Sequence, residues 1–310
     1  MSFLGSFVDA VWSVPGRFGE VDARYLAPAL CLQLLTLVFR ALAWRGVLVA
    51  AYPGRRVPFL SIGGAYAAGV AVNAFIPARG GEVAKVLIAR SRIPGATVPT
   101  VAASLSVVLV ADALIGGSLV CVLWACGVLP ALPAPGLGSI EFVLGGAAAA
   151  VTAVALAYRL RPERARRLVD RAAQGLAVVR RPGRYLCTVA PFQAAAWWCR
   201  IGVVFFVLGA FGIEASLATA TLVVVLNGAS TMVPVPGGAG TQQVLATYAL
   251  QGAVSAATAV SFSLGMQVGL TAVNTTVGIV ALMLLFRTAR PVGAMRSARA
   301  LVAQRADTPA

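Results

Sequence analysis

The sequence contains no histidine and few charged residues, and both shortages narrow what the protein can be. Without histidine, Ser-His-Asp and Cys-His catalysis, histidine zinc sites and histidine haem ligation are excluded. Charged residues make up 11% of the 310 residues, whereas hydrophobic residues make up 59%. A soluble domain needs far more polar surface than this. We therefore predict an all-α integral membrane protein.

Cysteine is sparse, and its spacing argues against a metal or redox site. None of the five cysteines has C-x-x-C spacing, and all lie in or beside apolar runs. We expect buried, unreactive thiols. The acidic residues form no D-x-D pair, the metal-binding pair that a glycosyltransferase using a polyprenyl carrier normally needs. No P-loop is present, so ATP-driven transport is not expected. We predict neither a cofactor nor a metal site.

Long apolar runs are the dominant feature of the chain. Residues 215–286 contain no charged side chain, and residues 101–129 contain Asp112 alone. In lipid the backbone must satisfy its hydrogen bonds internally, which favours helices. Since a helical span needs about 20 apolar residues, we expect a polytopic bundle of about 6–8 helices within residues 25–286, after an amphipathic lead at 1–24.

The net charge of +15 is explained by a membrane rather than by nucleic acid. Nine arginines fall between residues 159 and 184, and five more follow residue 286. Cytoplasmic segments of membrane proteins carry such an excess. We therefore predict a multi-pass protein of the inner (cytoplasmic) membrane, with loop 159–184 and the basic tail 287–310 in the cytoplasm. The arginine-rich loop is expected to meet anionic lipid. No nucleic-acid partner is expected, and a homodimer stays an open alternative.

Two proline- and glycine-rich interruptions break the apolar runs, I-P-A-R-G-G-E-V at 76–83 and V-P-G-G-A-G-T-Q-Q-V at 235–244. Proline removes a backbone donor and glycine exposes backbone, which is tolerated at depth only beside protein or a water-filled cavity. Counting crossings between basic loops predicts two broken or re-entrant helix pairs that enter from opposite faces, although full crossings also satisfy the count at the second. This arrangement suggests inverted repeats.

Polar and charged side chains cluster at these interruptions and within the spans, where they usually face a cavity or each other. The planar fork of Arg79 suits a phosphate. Glu82 is spaced to pair with Arg79 or Lys85 in an internal salt bridge. Asp112 is expected to neutralise Arg79 or Arg200, or to relay ions, and Arg40 is expected to snorkel. The candidate substrate-binding residues are Asn73, Pro77, Arg79, Gly80, Gly81, Glu82, Lys85, Asp112, Arg200, Asn227, Pro236, Gly237, Gly238, Gly240, Gln242 and Gln243.

The two interruptions resemble the membrane region of lysylphosphatidylglycerol synthases, which stand-alone flippase-like proteins share. The run N-A-F-I-P-A-R-G-G-E-V-A-K from Asn73 is similar to the family element N-x-x-x-P-x-R-x-G-E. The run V-P-V-P-G-G-A-G-T-Q-Q from Val233 is similar to P-G-G-x-G-x-x-E, with Gln243 in place of the glutamate. The resemblance covers residues 40–286.

The resemblance implies lipid translocation between leaflets by a member without the soluble aminoacyl-transferase domain. The expected substrate is a phospholipid, glycolipid or polyprenyl-linked lipid, with its anionic headgroup in a polar cavity between the two broken helices. We expect a transporter rather than an enzyme. Two alternatives stay open: a membrane glycosyltransferase-like enzyme, and a non-catalytic accessory subunit of an envelope lipid pathway.

Overall fold

The computed structural model describes residues 22–75, 80–128, 162–214, 216–230 and 240–286, and all the regular structure in those ranges is helical. The expected all-α fold is therefore confirmed there. Residues 1–21, 76–79, 129–161, 215, 231–239 and 287–310 lie outside those ranges, and they include most of the lead, part of both interruptions and the whole tail. The helices are α1 (Ala23–Ala51), α2 (Phe59–Phe75), α3 (Gly80–Arg92), α4 (Val98–Ala125), α5 (Pro162–Gly175), α6 (Pro182–Thr188), α7 (Ala190–Ala210), α8 (Leu217–Ser230), α9 (Thr241–Ala249) and α10 (Ala256–Phe286).

Four of these helices, α1, α4, α7 and α10, are long and apolar enough to cross a membrane. Local sequence fixes where two of them begin. The Asp22 carboxylate caps α1 by accepting the Arg24 N–H at 3.0 Å. A hydrogen bond from the Arg24 side chain lowers the pKa of Asp22, which favours the charged cap. Thr97 caps α4, and proline follows within its first turn. The chain is therefore a multi-pass membrane protein.

The third long helix begins later than the apolar run suggests. The apolar run starts at residue 185, but α6 ends at Thr188 and α7 begins at Ala190. Pro191 accounts for the break, because it has no N–H to donate to the carbonyl four residues earlier. The start of the apolar run is thus a separate short helix, α6.

The described helices form two units with the same order: a long helix, a hairpin of two short helices, and a second long helix. The first unit is α1, α2–α3 and α4, and the second is α7, α8–α9 and α10. The leading helices α1 and α7 pack antiparallel, since Gly209 lies beside Tyr25 and Gly46 beside Val189. The Asp22 N–H donates to the Ala210 carbonyl at 3.1 Å, joining the start of α1 to the end of α7.

The two hairpins open toward opposite ends of the bundle. At the C-terminal end of α1, the Tyr52 hydroxyl accepts the Thr97 N–H at 3.1 Å, so both ends of α2–α3 lie together. At the C-terminal end of α7, Ile213 and Leu250 share one buried cluster, which brings the ends of α8–α9 together. This antiparallel repetition is the arrangement expected of inverted repeats.

Each unit buries most of its own apolar cluster. The first cluster contains the fully buried side chains of Trp44, Leu48 and Ile62. The second contains those of Leu208 and Phe262. The expectation of buried thiols holds for Cys199 alone. The other four cysteines are exposed on the isolated chain: Cys31, Cys121, Cys126 and Cys187.

Candidate functional site

Two glycines bring the helices of the first hairpin into contact. A Cβ on Gly69 would lie 2.6 Å from the Gly81 carbonyl oxygen, and a Cβ on Gly81 would overlap the Gly69 carbonyl. Only glycine allows this approach without moving a backbone. The two glycines therefore set the spacing of α2 and α3 just below the first interruption.

A buried polar network closes this hairpin. The Asn73 Oδ1 accepts the Gly81 N–H at 2.8 Å, and its Nδ2 donates to Glu82 at 3.2 Å. Lys85 is 3% exposed and donates to the same carboxylate at 2.9 Å. Its ammonium also lies 4.3 Å from the centre of the Tyr66 ring.

Of the two partners expected for Glu82, the structure therefore has Lys85. The expected internal salt bridge is therefore present between Glu82 and Lys85. Gly80 begins α3 and is partly buried. Pro77 and Arg79 lie outside the described residues.

The second hairpin uses amides where the first uses charges. Gly240 adopts φ +84°, a left-handed conformation that favours glycine, and caps α9. Its N–H donates to the Gln243 Oε1 at 2.7 Å. The Gln243 Nε2 in turn donates to the Gln267 Oε1 at 2.7 Å, and Gln243 is 2% exposed. An amide makes both bonds, whereas an ionised carboxylate only accepts.

The other candidate residues of the second unit are Asn227, Gln242, Pro236, Gly237 and Gly238. Asn227 of α8 and Gln242 of α9 are partly buried. Pro236, Gly237 and Gly238 lie outside the described residues.

The flanks of both interruptions approach one stretch of α10. Gln267 contacts the second hairpin through Gln243. Gly278 contacts the first, since a Cβ there would lie 2.9 Å from the Ala67 carbonyl oxygen. Between them, Asn274 accepts a hydrogen bond from Gln33 of α1 at 2.8 Å. This stretch is about 16 Å long at 1.5 Å per residue. The two hairpins thus enter from opposite ends and meet the same polar face.

A second polar group joins α1, α4 and α7. Arg40 forms an ion pair with Asp112. The Trp197 indole N–H donates to the other Asp112 oxygen at 3.2 Å, and Gly116 makes room for the ring. The Arg200 guanidinium lies 4.7 Å from the centre of the Trp197 ring. We refer to Arg40, Asp112, Trp197 and Arg200 as the interhelical charge group.

This group corrects two sequence expectations. Among the described residues, Asp112 pairs with Arg40 and not with Arg200, whereas Arg79 lies outside them. Arg40 pairs inside the bundle and does not snorkel, because Asp112 on α4 lies within reach of its side chain. Counted along the axes, Arg40 is about 16 Å from the end of α1 and Arg200 about 15 Å from the start of α7. Both arginines therefore lie deep in their helices.

Sequence reasoning missed Trp197, Tyr66 and Gln33. A usable signal existed for Trp197, which precedes Arg200 by three residues and so shares its helix face. Nothing local identifies Tyr66 or Gln33, because their partners come from other helices. In the part of the chain that the structure describes, no three His, Cys, Asp or Glu side chains come together as metal ligands.

Comparison with known proteins gives one informative result. No curated protein and no solved structure matches the chain. A family model described as "Lysylphosphatidylglycerol synthase TM region" matches residues 4–291. That range includes both interruptions, both hairpins and all four long helices. The chain therefore belongs to the lysylphosphatidylglycerol synthase TM region family, which places it with membrane proteins of lipid metabolism or transport.

Proposed function

We propose that this protein translocates a membrane lipid, or a lipid-linked precursor, between the leaflets of the cytoplasmic membrane. The observation that carries the proposal is the pair of oppositely opening hairpins that approach residues 267–278 of α10. A simple anchor has no use for helices that turn back at depth. Transporters built from inverted repeats place their substrate sites between such broken helices.

Helix lengths support re-entrance of both hairpins. The four short helices contain 17, 13, 14 and 9 residues, fewer than the roughly 20 that a span needs. In each hairpin the open ends lie on one side of the bundle. We propose that α2–α3 enters from the cytoplasmic face and α8–α9 from the opposite face.

The anionic headgroup is proposed to bind between the two interruptions. Both α3 and α9 begin at the turn of their hairpin, so the positive ends of two helix dipoles lie at depth. Arg79 supplies a planar fork at the first turn. Glu82 is the carboxylate nearest to Arg79 in sequence. It already accepts hydrogen bonds from Lys85 and Asn73.

The test is lipid movement in proteoliposomes made with the purified full-length protein. A headgroup-labelled lipid is placed in both leaflets, and a membrane-impermeant quencher reports how fast the inner label becomes accessible. Vesicles with the wild-type protein are expected to expose the inner label faster than empty vesicles. The Arg79→Ala variant should be slower by about tenfold, the equivalent of losing one charge-assisted contact. Arg56→Ala, which removes an exposed loop arginine, serves as the matched control.

Two outcomes would overturn the proposal. Equal rates for wild type, Arg79→Ala and empty vesicles would reject translocation. A new covalent lipid product, detected by mass spectrometry after incubation with lipid-linked sugars, would favour a membrane transferase.

A further inference from the structure

The charges at depth do not cancel in the described part of the molecule. Lys85 is matched by Glu82, and Arg40 is matched by Asp112. Arg200 has no acidic partner among the described residues, and it instead lies over the face of Trp197. The described interior therefore carries one positive charge in excess, and it belongs to Arg200.

The surroundings of Arg200 attract its charge without cancelling it. An aromatic face stabilises a guanidinium through the ring quadrupole and supplies no negative charge. Arg40 lies close enough for the two cations to repel each other. Trp197 is held in place, because its indole N–H is committed to Asp112 and its ring packs across Gly116. Arg200 thus keeps a planar set of donors in a fixed position.

Arg45 shows why Arg200 differs from other arginines in the long helices. Arg45 also has no acidic partner in the described part of the chain, but it lies six residues from the end of α1 and donates to the Val57 carbonyl at 2.8 Å. That contact lies near the end of the bundle, where a cation also reaches water and headgroups. Arg200 is about 15 Å from the start of α7 and has no such outlet. A cation at that depth is costly unless an anion lies beside it.

We propose that Arg200 selects the charge class of the substrate by binding the phosphodiester of a lipid headgroup with one net negative charge. This inference rests on the proposed function and adds a specificity residue to it. A bound monoanion cancels the one excess charge. A zwitterionic headgroup brings no net charge and leaves the excess in place. Arg40 itself takes no part in selection, since Asp112 neutralises it.

The first experiment compares two labelled probes in the proteoliposome assay: phosphatidylglycerol, a monoanion, and phosphatidylcholine, a zwitterion. Wild type is expected to move phosphatidylglycerol faster. Arg200→Gln should lower that rate about tenfold, to the phosphatidylcholine rate. Arg200→Lys keeps the charge but loses the fork, so a partial preference is expected. Arg45→Gln is the matched control and should keep the wild-type preference.

A second arm tests charge balance directly. The double variant Arg40→Gln/Asp112→Asn removes one charge of each sign, so the ratio between the two probe rates should stay as in wild type. Asp112→Asn alone frees a second cation. It should therefore raise transport of phosphatidic acid, which carries more negative charge, relative to phosphatidylglycerol. Loss of the preference in the double variant, or its retention in Arg200→Gln, would overturn the inference.

Binding separates this inference from the proposed function. Native mass spectrometry of the detergent-purified protein measures retained phosphatidylglycerol without requiring movement. Arg200-dependent retention with no translocation by wild type would reject the proposed function and leave the anion site standing. Equal retention by wild type and folded Arg200→Gln would reject the anion site whatever the transport result.

Discussion

Gly81 lies where α2 and α3 come closest, and this contact yields a residue-scale prediction. Gly81→Ala should lower stability by about 1–3 kcal/mol, because the added Cβ overlaps the Gly69 carbonyl and crowds Asn73. Thermal unfolding of the detergent-purified protein measures this. Gly117→Ala is the control, since nothing lies within 4 Å of a Cβ there. Equal melting temperatures for the two variants would contradict the close packing of the hairpin.

Gln243 makes a comparable prediction for the second hairpin. Gln243→Leu leaves the Gly240 N–H and the Gln267 amide without this partner, at a cost of about 1–3 kcal/mol. Gln243→Glu keeps an acceptor for Gly240 and loses the donor to Gln267, so an intermediate effect is expected. The melting temperatures of both variants should be compared with that of Gln251→Leu, which alters an exposed loop residue. A Leu variant as stable as this control would refute the role of the amide.

At the scale of elements, the basic segment before α7 is structured rather than a plain loop. The α5 helix is anchored to the bundle, since Gln174 donates to the Ala51 carbonyl at 2.9 Å and Gly175 packs on the Thr100 carbonyl. The following residues combine exposed Val179 and Leu186 with exposed arginines. Apolar and basic side chains on one interfacial segment are typical of binding to anionic lipid.

If this segment binds anionic lipid, the thermal stability of the protein should depend on the lipid around it. Replacing Arg180, Arg181 and Arg184 with glutamine should weaken the stabilisation that anionic lipid provides, by about 1 kcal/mol per arginine near the surface. The measurement is the difference in melting temperature between phosphatidylglycerol and phosphatidylcholine nanodiscs. Wild type and the triple variant should melt alike in phosphatidylcholine. If the difference between the two lipids is unchanged in the variant, the segment does not bind anionic lipid.

At the scale of the whole molecule, two exposed cysteines report the orientation of the bundle. Cys126 follows the end of α4, and Cys187 lies in α6 before the start of α7. Because α4 starts at the same end of the bundle as α7, the two thiols lie at opposite ends. We propose, from the positive-inside pattern, that the Cys187 end faces the cytoplasm.

Variants that keep a single cysteine test this arrangement. In intact cells, a membrane-impermeant maleimide should label Cys126, whereas Cys187 should react only after permeabilisation. Cys31 and Cys121 lie within spans, where a membrane-impermeant reagent has little access, and should react slowly in both conditions. Labelling of Cys126 and Cys187 from the same side would contradict the topology.

Local patterns were enough to predict the membrane class, the apolar spans and the positions of both interruptions. Apolar length, proline, glycine and arginine counts are properties of neighbouring residues, so they can be read along the chain. The pairing of Glu82 with Lys85 was among the alternatives for the same reason, since three residues separate them on one helix.

Partners across helices were decided by the tertiary structure alone. Asp112 is 72 residues from Arg40 in sequence, and the partners expected for it were Arg79 and Arg200; packing of α1 against α4 brings Arg40 to it. The same packing leaves Arg200 on the face of Trp197 with no acidic partner among the described residues. The sequence by itself thus determined that charges lie in the membrane region. Which charge is left over follows from distances between helices, because the energy of an ion pair depends on separation in space rather than along the chain.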